Sequence, residues 1–364
     1  MTDNTEQPKQ GDAVLGGLQP ELSDAAVLGG LQGAQQKYNS TQESLRIVAI
    51  KQAVNYGEEG LDLIIKALQD PSSQVQKVAY NFLKDKQSSQ VQQAIRQFLQ
   101  PIEEAFQETL RLSNDHALAY NNRGYARYSL DDLTAAIEDY SQAIAINPNY
   151  AWAYCRRGLA YYDLKDLTIA IEDYSQAIAI SPNYAVAYYN RALAYYDLKN
   201  FTAAREDYSK TIILDPNYAN AYYGRGLVNY DLKDFTAATE DYSQAIIFEP
   251  NYTSAYYNRA LVYSNLKDFT SAIADYTQTI ILKPNYANAY YGRGLASHNL
   301  KDFTSAIADY SQAIILDPNY TNAYYNRALA YYHLKNFTSA IEDYSKTLIL
   351  EPNYTNAYYG RQQF

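Results

Sequence analysis

From residue 117 onward, small apolar and aromatic residues recur at steps of three and four, and each such run stops at a proline turn. In AVAYYNRALAYYDL (185–198), Tyr188, Ala192 and Tyr195 fall on one stripe, the spacing of a helix face. Lys199-Asn200-Phe201 interrupts it. TAAREDYSKTIIL (202–214) resumes the stripe at Ala204, Tyr208, Thr211 and Ile212. Asn200 or Thr202 is placed to cap this second helix by accepting from its free N–H groups. Asp215-Pro216 ends it, because a residue before proline is pushed out of the α region. The stretch predicts two helices joined by a short loop.

The phrase then repeats. Pro-Asn-Tyr stands at Pro148, Pro182, Pro216, Pro250, Pro284, Pro318 and Pro352, a constant step of 34 residues. Full units begin at 117, 151, 185, 219, 253, 287 and 321, with a partial unit at 355–364 and a lone second half at 101–116. Residues 41–100 are predicted helical on a different pattern (TQESLRIVAIKQAVNY, EEGLDLIIKALQD, SQVQKVAYNFLKD, SQVQQAIRQFLQ), and Pro101 is expected to start the next helix. Residues 1–40 are polar and carry AVLGGLQ twice, at 13–19 and 26–32. Such composition cannot build a core, so a flexible arm is expected there, with a duplicated docking motif as the second reading.

Ala192, Tyr195, Ala204, Tyr208, Thr211 and Pro216 stand where tetratricopeptide repeats (TPRs) place their signature residues, and the chain resembles that family across 117–354. Leu45-Arg46-x-x-Ala49 and Val75-Gln76-x-x-Ala79 resemble starts of HEAT-type helices. The resemblance implies an all-α fold, a right-handed TPR superhelix (an α-solenoid) with a small HEAT-like helical cap over 41–100 and the solenoid over 101–364. Each pair buries only part of its apolar face and needs a neighbour for the rest. It also implies that the first helix of each pair lines an inner groove that binds a protein or an extended peptide.

One position departs from the family. The seventh residue of a unit is usually large and apolar; here it is always arginine, as at Arg191, Arg225 and Arg259. It lies between buried positions four and eleven, so it needs a partner or a route to water. Position twenty-three supplies aspartate in every full unit, as at Asp207, Asp241 and Asp275. Ion pairs Arg191–Asp207, Arg225–Asp241 and Arg259–Asp275 are expected, within a unit or to the next one; an arginine-lined anion track and snorkelling outward are the alternatives.

The resemblance makes positions five, six, nine and twelve the groove lining. They hold Tyr189, Tyr223, Tyr257, Tyr291 and Tyr325 at five, Leu193 and Leu227 at nine, and Tyr196 and Tyr230 at twelve. Tyrosine offers large apolar area at low entropic cost and a hydroxyl for pairing; packing between helices is the other use for these rings. Position six alternates Asn190, Asn258 and Asn326 with Gly224, Gly292 and Gly360, a period of 68 residues. Duplication of a repeat pair accounts for it, and so does an asparagine ladder for a peptide backbone. Family members that grip a C-terminal carboxylate do so with a lysine, asparagine and arginine clamp. Asn122 and Arg156 match part of it, while Trp152 replaces a lysine, so the co-chaperone-like reading is partial.

Composition narrows the function classes. The 364 residues include 41 tyrosines and a net charge of −10, which argues against nucleic acid and anionic membrane as partners. No apolar run approaches the roughly 20 residues of a membrane span, and no signal peptide is seen at the N-terminus. One cysteine, Cys155, at a groove position, rules out an internal disulfide and suits a reducing, cytoplasmic setting. His298 and His333 fall at positions twelve and thirteen of successive units and are expected to come close, but without further ligands they make a poor metal site. No catalytic constellation or phosphate-cradling loop is found, so neither an enzyme nor a cofactor or metal is expected. The reading is a non-enzymatic binding scaffold or assembly factor; the alternative is a homo-oligomer formed through the unpaired last helix.

Overall fold

The computed structural model describes residues 30–113 and 115–363. All regular elements described are helical. The chain divides into two compact units, Met1–Asp166 and Leu167–Phe364. Most of the duplicated AVLGGLQ segment lies outside the described residues. Among those described, no helix is long and apolar enough to cross a membrane.

The first unit holds α1 (Gly30–Tyr38), α2 (Glu43–Ala53), a 3₁₀ turn (Val54–Tyr56), α3 (Gly57–Ala67), α4 (Ser73–Leu83), α5 (Ser89–Leu112), α6 (His116–Ser129), α7 (Leu133–Ile146) and α8 (Ala151–Asp163). Ala34, Ala49, Ile50, Val75, Leu83 and Val91 are wholly buried in its N-terminal core. Ser72 and Ser88 cap α4 and α5 by accepting from Val75 and Val91 N–H. Buried Asp70 takes Arg46 Nε at 2.9 Å and the Ser72 N–H, which fixes the turn after α3.

Two sequence expectations change here. Gly30–Tyr38, placed within the arm, forms α1, because Ala34 and Tyr38 find a buried seat against α2 and α3. Residues 89–100 and 101–112, expected as two helices, are one. Pro101 lies inside α5, although proline there removes a backbone bond and crowds the preceding turn. Both halves are anchored, Val91 and Ile95 in the N-terminal core and Phe106 against Tyr120 of α6.

The second unit runs α9 (Leu167–Ile180), α10 (Ala185–Asp197), α11 (Phe201–Leu214), α12 (Ala219–Asp231), α13 (Phe235–Phe248), α14 (Thr253–Asn265), α15 (Phe269–Leu282), α16 (Ala287–Asn299), α17 (Phe303–Leu316), α18 (Thr321–His333), α19 (Phe337–Leu350) and α20 (Thr355–Gln362). From α10 onward the helices pair as the 34-residue phrase requires. Asn200, Asp234, Asp268, Asp302 and Asn336 each accept from the N–H three residues on and so cap the second helices. The core of each pair is the position-24 tyrosine: Tyr208, Tyr242, Tyr276, Tyr310 and Tyr344 are essentially inaccessible, walled by alanines such as Ala192, Ala204 and Ala221.

Within each pair the loop makes one residue left-handed. Lys199, Lys233, Lys267, Lys301 and Lys335 have φ between 58° and 65°. A side chain there costs about 1–2 kcal/mol, and glycine is the usual solution. Lys233→Gly should therefore stabilise the chain by about 0.5–1 kcal/mol after glycine's larger unfolded-state entropy is subtracted. Chemical denaturation of the single variant checks the sign.

Candidate binding groove

In the second unit the first helices touch in sequence, α10 to α12, α12 to α14, α14 to α16 and α16 to α18. They form a continuous row, and the residues they do not bury between pairs lie along one side of it. Whatever lines that side is repeated at every step because the sequence is.

Position five is a tyrosine wedged between two others. Tyr223 lies 5.8 Å from Tyr242 and 4.9 Å from Tyr252 between ring centroids; Tyr257 meets Tyr276 and Tyr286, Tyr291 meets Tyr310 and Tyr320, and Tyr325 meets Tyr344 and Tyr354. Tyr189 does the same with Tyr208 and Tyr218. These rings are half-buried, so each packs on one side and shows the other. Burial pushes the Tyr189 and Tyr291 hydroxyls up to about 12, with neighbouring tyrosines adding to it. Leu193 and Leu227 are likewise half-buried beside them. Cys155, at position five of its unit and expected at a groove position, is buried.

The asparagines at six are already engaged. Asn258 Nδ2 donates to Tyr223 Oη at 2.8 Å, and Asn326 Nδ2 donates to Tyr291 Oη at 2.9 Å and to the Asn322 carbonyl. The glycines that alternate with them have a different task. A Cβ on Gly224 would lie 2.5 Å from Cζ of Tyr208, and one on Gly292 at the same distance from Tyr276. The intervening tyrosines, Tyr242 and Tyr310, instead crowd Gly226 and Gly294 at position eight of their own repeats. Each core tyrosine thus leans on one glycine, in the next repeat or its own. The 68-residue period is a packing alternation, whatever else it does.

The arginines form a polar spine running from repeat to repeat. Arg191 Nε donates to Asp207 Oδ2 at 2.7 Å and Nη2 to Oδ1 at 2.8 Å. Arg259, Arg293 and Arg327 repeat this fork on Asp275, Asp309 and Asp343, and Arg225 holds Asp241 at 2.7 Å. The remaining guanidinium nitrogen, Nη1, crosses to the preceding repeat. It donates to Ser175 from Arg191, Ser209 from Arg225, Ser243 from Arg259, Thr277 from Arg293 and Ser311 from Arg327, at 2.8–3.0 Å. Those hydroxyls in turn donate one turn back along their own helix, as Ser243 does to the Thr239 carbonyl. The hydroxyl at position twenty-five recurs in every unit and could have been read from the sequence, but serine is common enough to pass unnoticed.

In the first unit, Arg156 stacks over Tyr125 at 4.2 Å and lies 5.7 Å from the exposed Trp152 ring. Asn122 borders a cavity of about 310 Å³ with Phe106 and Arg123. Arg123 is itself held by Asp139 and Glu103.

A stack of helix pairs, each burying its face on the next and each contributing one helix to a shared inner row, defines an α-solenoid of the helix-turn-helix kind. The sequence agrees: profiles described as TPR repeat match residues 124–165, 158–199 and 298–335, and tetratricopeptide repeat profiles match 185–218, 219–252, 253–286 and 321–354. The chain belongs to the tetratricopeptide repeat family. Among solved structures it is similar to the C-terminal part of a TPR repeat-containing protein from Cytophaga hutchinsonii, with 18% identity over 65% of this chain and 97% of that one, and a TM-score of 0.57. YrrB, described as a TPR protein with an unusual peptide-binding site, aligns at 22% identity over 53% of this chain and 99% of its own, TM-score 0.49. MamA aligns at 28% over 44% and 94%, TM-score 0.43. No curated protein matches.

Proposed function

We propose that the second unit is a non-enzymatic protein-binding module that takes an extended, largely uncharged polypeptide segment along its inner row, as a scaffold or assembly factor. The observation that carries this is the half-exposed tyrosine at position five of five successive repeats, each held rigidly by two other rings. Rigid aromatics with a polar tip give contact area at small entropic cost. The asparagine amides at six are committed to tyrosines, so Asn258 and Asn326 offer their carbonyl oxygens, which suits the N–H donors of a peptide backbone. The half-buried guanidiniums are forked on aspartates, which leaves an anion track without free charge. The clamp reading weakens for the same reason, because Arg156 is stacked on Tyr125.

The test is capture from a lysate by the intact chain and by variants that melt normally. Leu193→Lys with Leu227→Lys puts charge into the groove on stems that reach water. Ile247→Lys and Ile281→Lys change residues of the outer helices that are 64% exposed. The groove variant is expected to lose the proteins that the outer variant retains. Equal capture by both would overturn the groove reading.

A further inference from the structure

Position twelve of one repeat meets position thirteen of the next on the groove side. Tyr196 Oη donates to Asp231 Oδ2 at 2.7 Å, Asn265 Nδ2 donates to Tyr230 Oη at 3.3 Å, and in the first unit Tyr128 donates to Asp163. At the junction between the repeats starting at 287 and 321, the same two positions hold His298 and His333. Their ring centroids are 5.6 Å apart with planes at 80°. Phe303 closes the contact, stacked on His333 at 4.6 Å and edge-on to His298 at 5.1 Å. His298 Nδ1 is buried with no hydrogen-bond partner. A tyrosine latch that works at any ordinary pH has been replaced by two imidazoles.

We propose that His298 and His333 make this one joint proton-sensitive: neutral, they hold the groove ends of α16 and α18 together, and protonated, they drive them apart. The groups around the pair do little to offset a charge. At the equivalent register α14 brings Ser264 and Asn265, both uncharged. The loop after α16 carries Lys301, and the segment after α18 carries Lys335. Asp302 caps α17, its carboxylate accepting from the Ser305 N–H. Tyr332 of α18 lies 5.8 Å from His333. Burial, and then His333, hold His298 below the usual imidazole range. A lowered folded value for His298 means that its neutral form stabilises the joint above the unfolded imidazole range and that this is lost as pH falls through it. The inference does not depend on what the groove binds.

The test uses the full chain. Imidazole C2–H resonances followed from about pH 8 to 5 should show His298 taking its proton below the ordinary value near 6.5. Amide protection in α18, corrected for intrinsic exchange, should fall relative to α14 by up to about tenfold per pH unit in that window. The double variant His298→Tyr with His333→Asp recreates the Tyr196–Asp231 pair and should keep its protection over the same range. An imidazole pair that titrates upward by sharing a proton overturns the proposal, as does equal pH dependence of α18 in the wild type and the double variant. The wild-type titration stands alone if the double variant does not fold.

Discussion

Asp275→Ala is expected to cost about 3–5 kcal/mol, the penalty for leaving a buried charge without its partner. Asp275 is 9% and Arg259 17% exposed in their side chains, and the two meet through a fork at 2.7 and 2.8 Å. Arg259→Ala should be comparably damaging, because it strips Asp275 and also releases Ser243. The double variant should lose clearly less than the sum of the two, since it removes both charges at once. Urea unfolding of the four proteins measures this. Additive losses would mean that the pair contributes nothing of its own. In a stack whose repeats contact only neighbours, the single variants should also separate the unfolding of repeats before and after this one into distinct phases.

Alkali should unfold the chain abruptly near pH 11, with the buried core tyrosines titrating together as it opens. Burial raises the hydroxyls of Tyr140, Tyr189, Tyr291 and Tyr344 to about 12, and those of Tyr242 and Tyr310 further still. An unfolded tyrosine ionises near 10. Between those values the unfolded chain has lost protons that the folded chain keeps. The stability they provide is complete below about pH 10 and drains away as pH rises towards the folded values. The tyrosinate absorbance of these buried rings should therefore rise in the same step in which ellipticity is lost. A smooth tyrosinate curve centred near 10 with helicity intact would show that the rings are accessible. The 41 tyrosines make the signal large.

The sequence made the repeats readable because a fixed period multiplies a weak local signal. One helix pair such as 185–214 is an ordinary amphipathic stretch; seven copies in register leave no other fold. The spacing of sixteen between Arg191 and Asp207 was readable for the same reason. What escaped was anything that depends on a neighbour across a junction. The hydroxyl at Ser243 gains its meaning only when Arg259 of the next repeat reaches it. Gly224 looks like a helix-weakening residue until Tyr208 is placed against it. Outside the array the signal is thinner. Pro101 argues for a helix boundary locally, and only the anchoring of Val91 and Phe106 on either side shows that α5 continues through it. The start of α1 in a glycine- and glutamine-rich stretch is set by contacts with α2 that composition does not encode.

The leaning of core tyrosines on alternate glycines sets what this chain can tolerate by way of growth and loss. Excising the repeat at 219–252 would bring Asn258 to the place of Gly224, against the ring of Tyr208. Excising 219–286 would bring Gly292 there instead, and the junction would be restored unchanged. The unit of length variation is accordingly the pair. An array built this way keeps its junctions unchanged only in steps of 68 residues, and single-repeat rearrangements leave either a clash, as at Tyr208, or a gap at the splice.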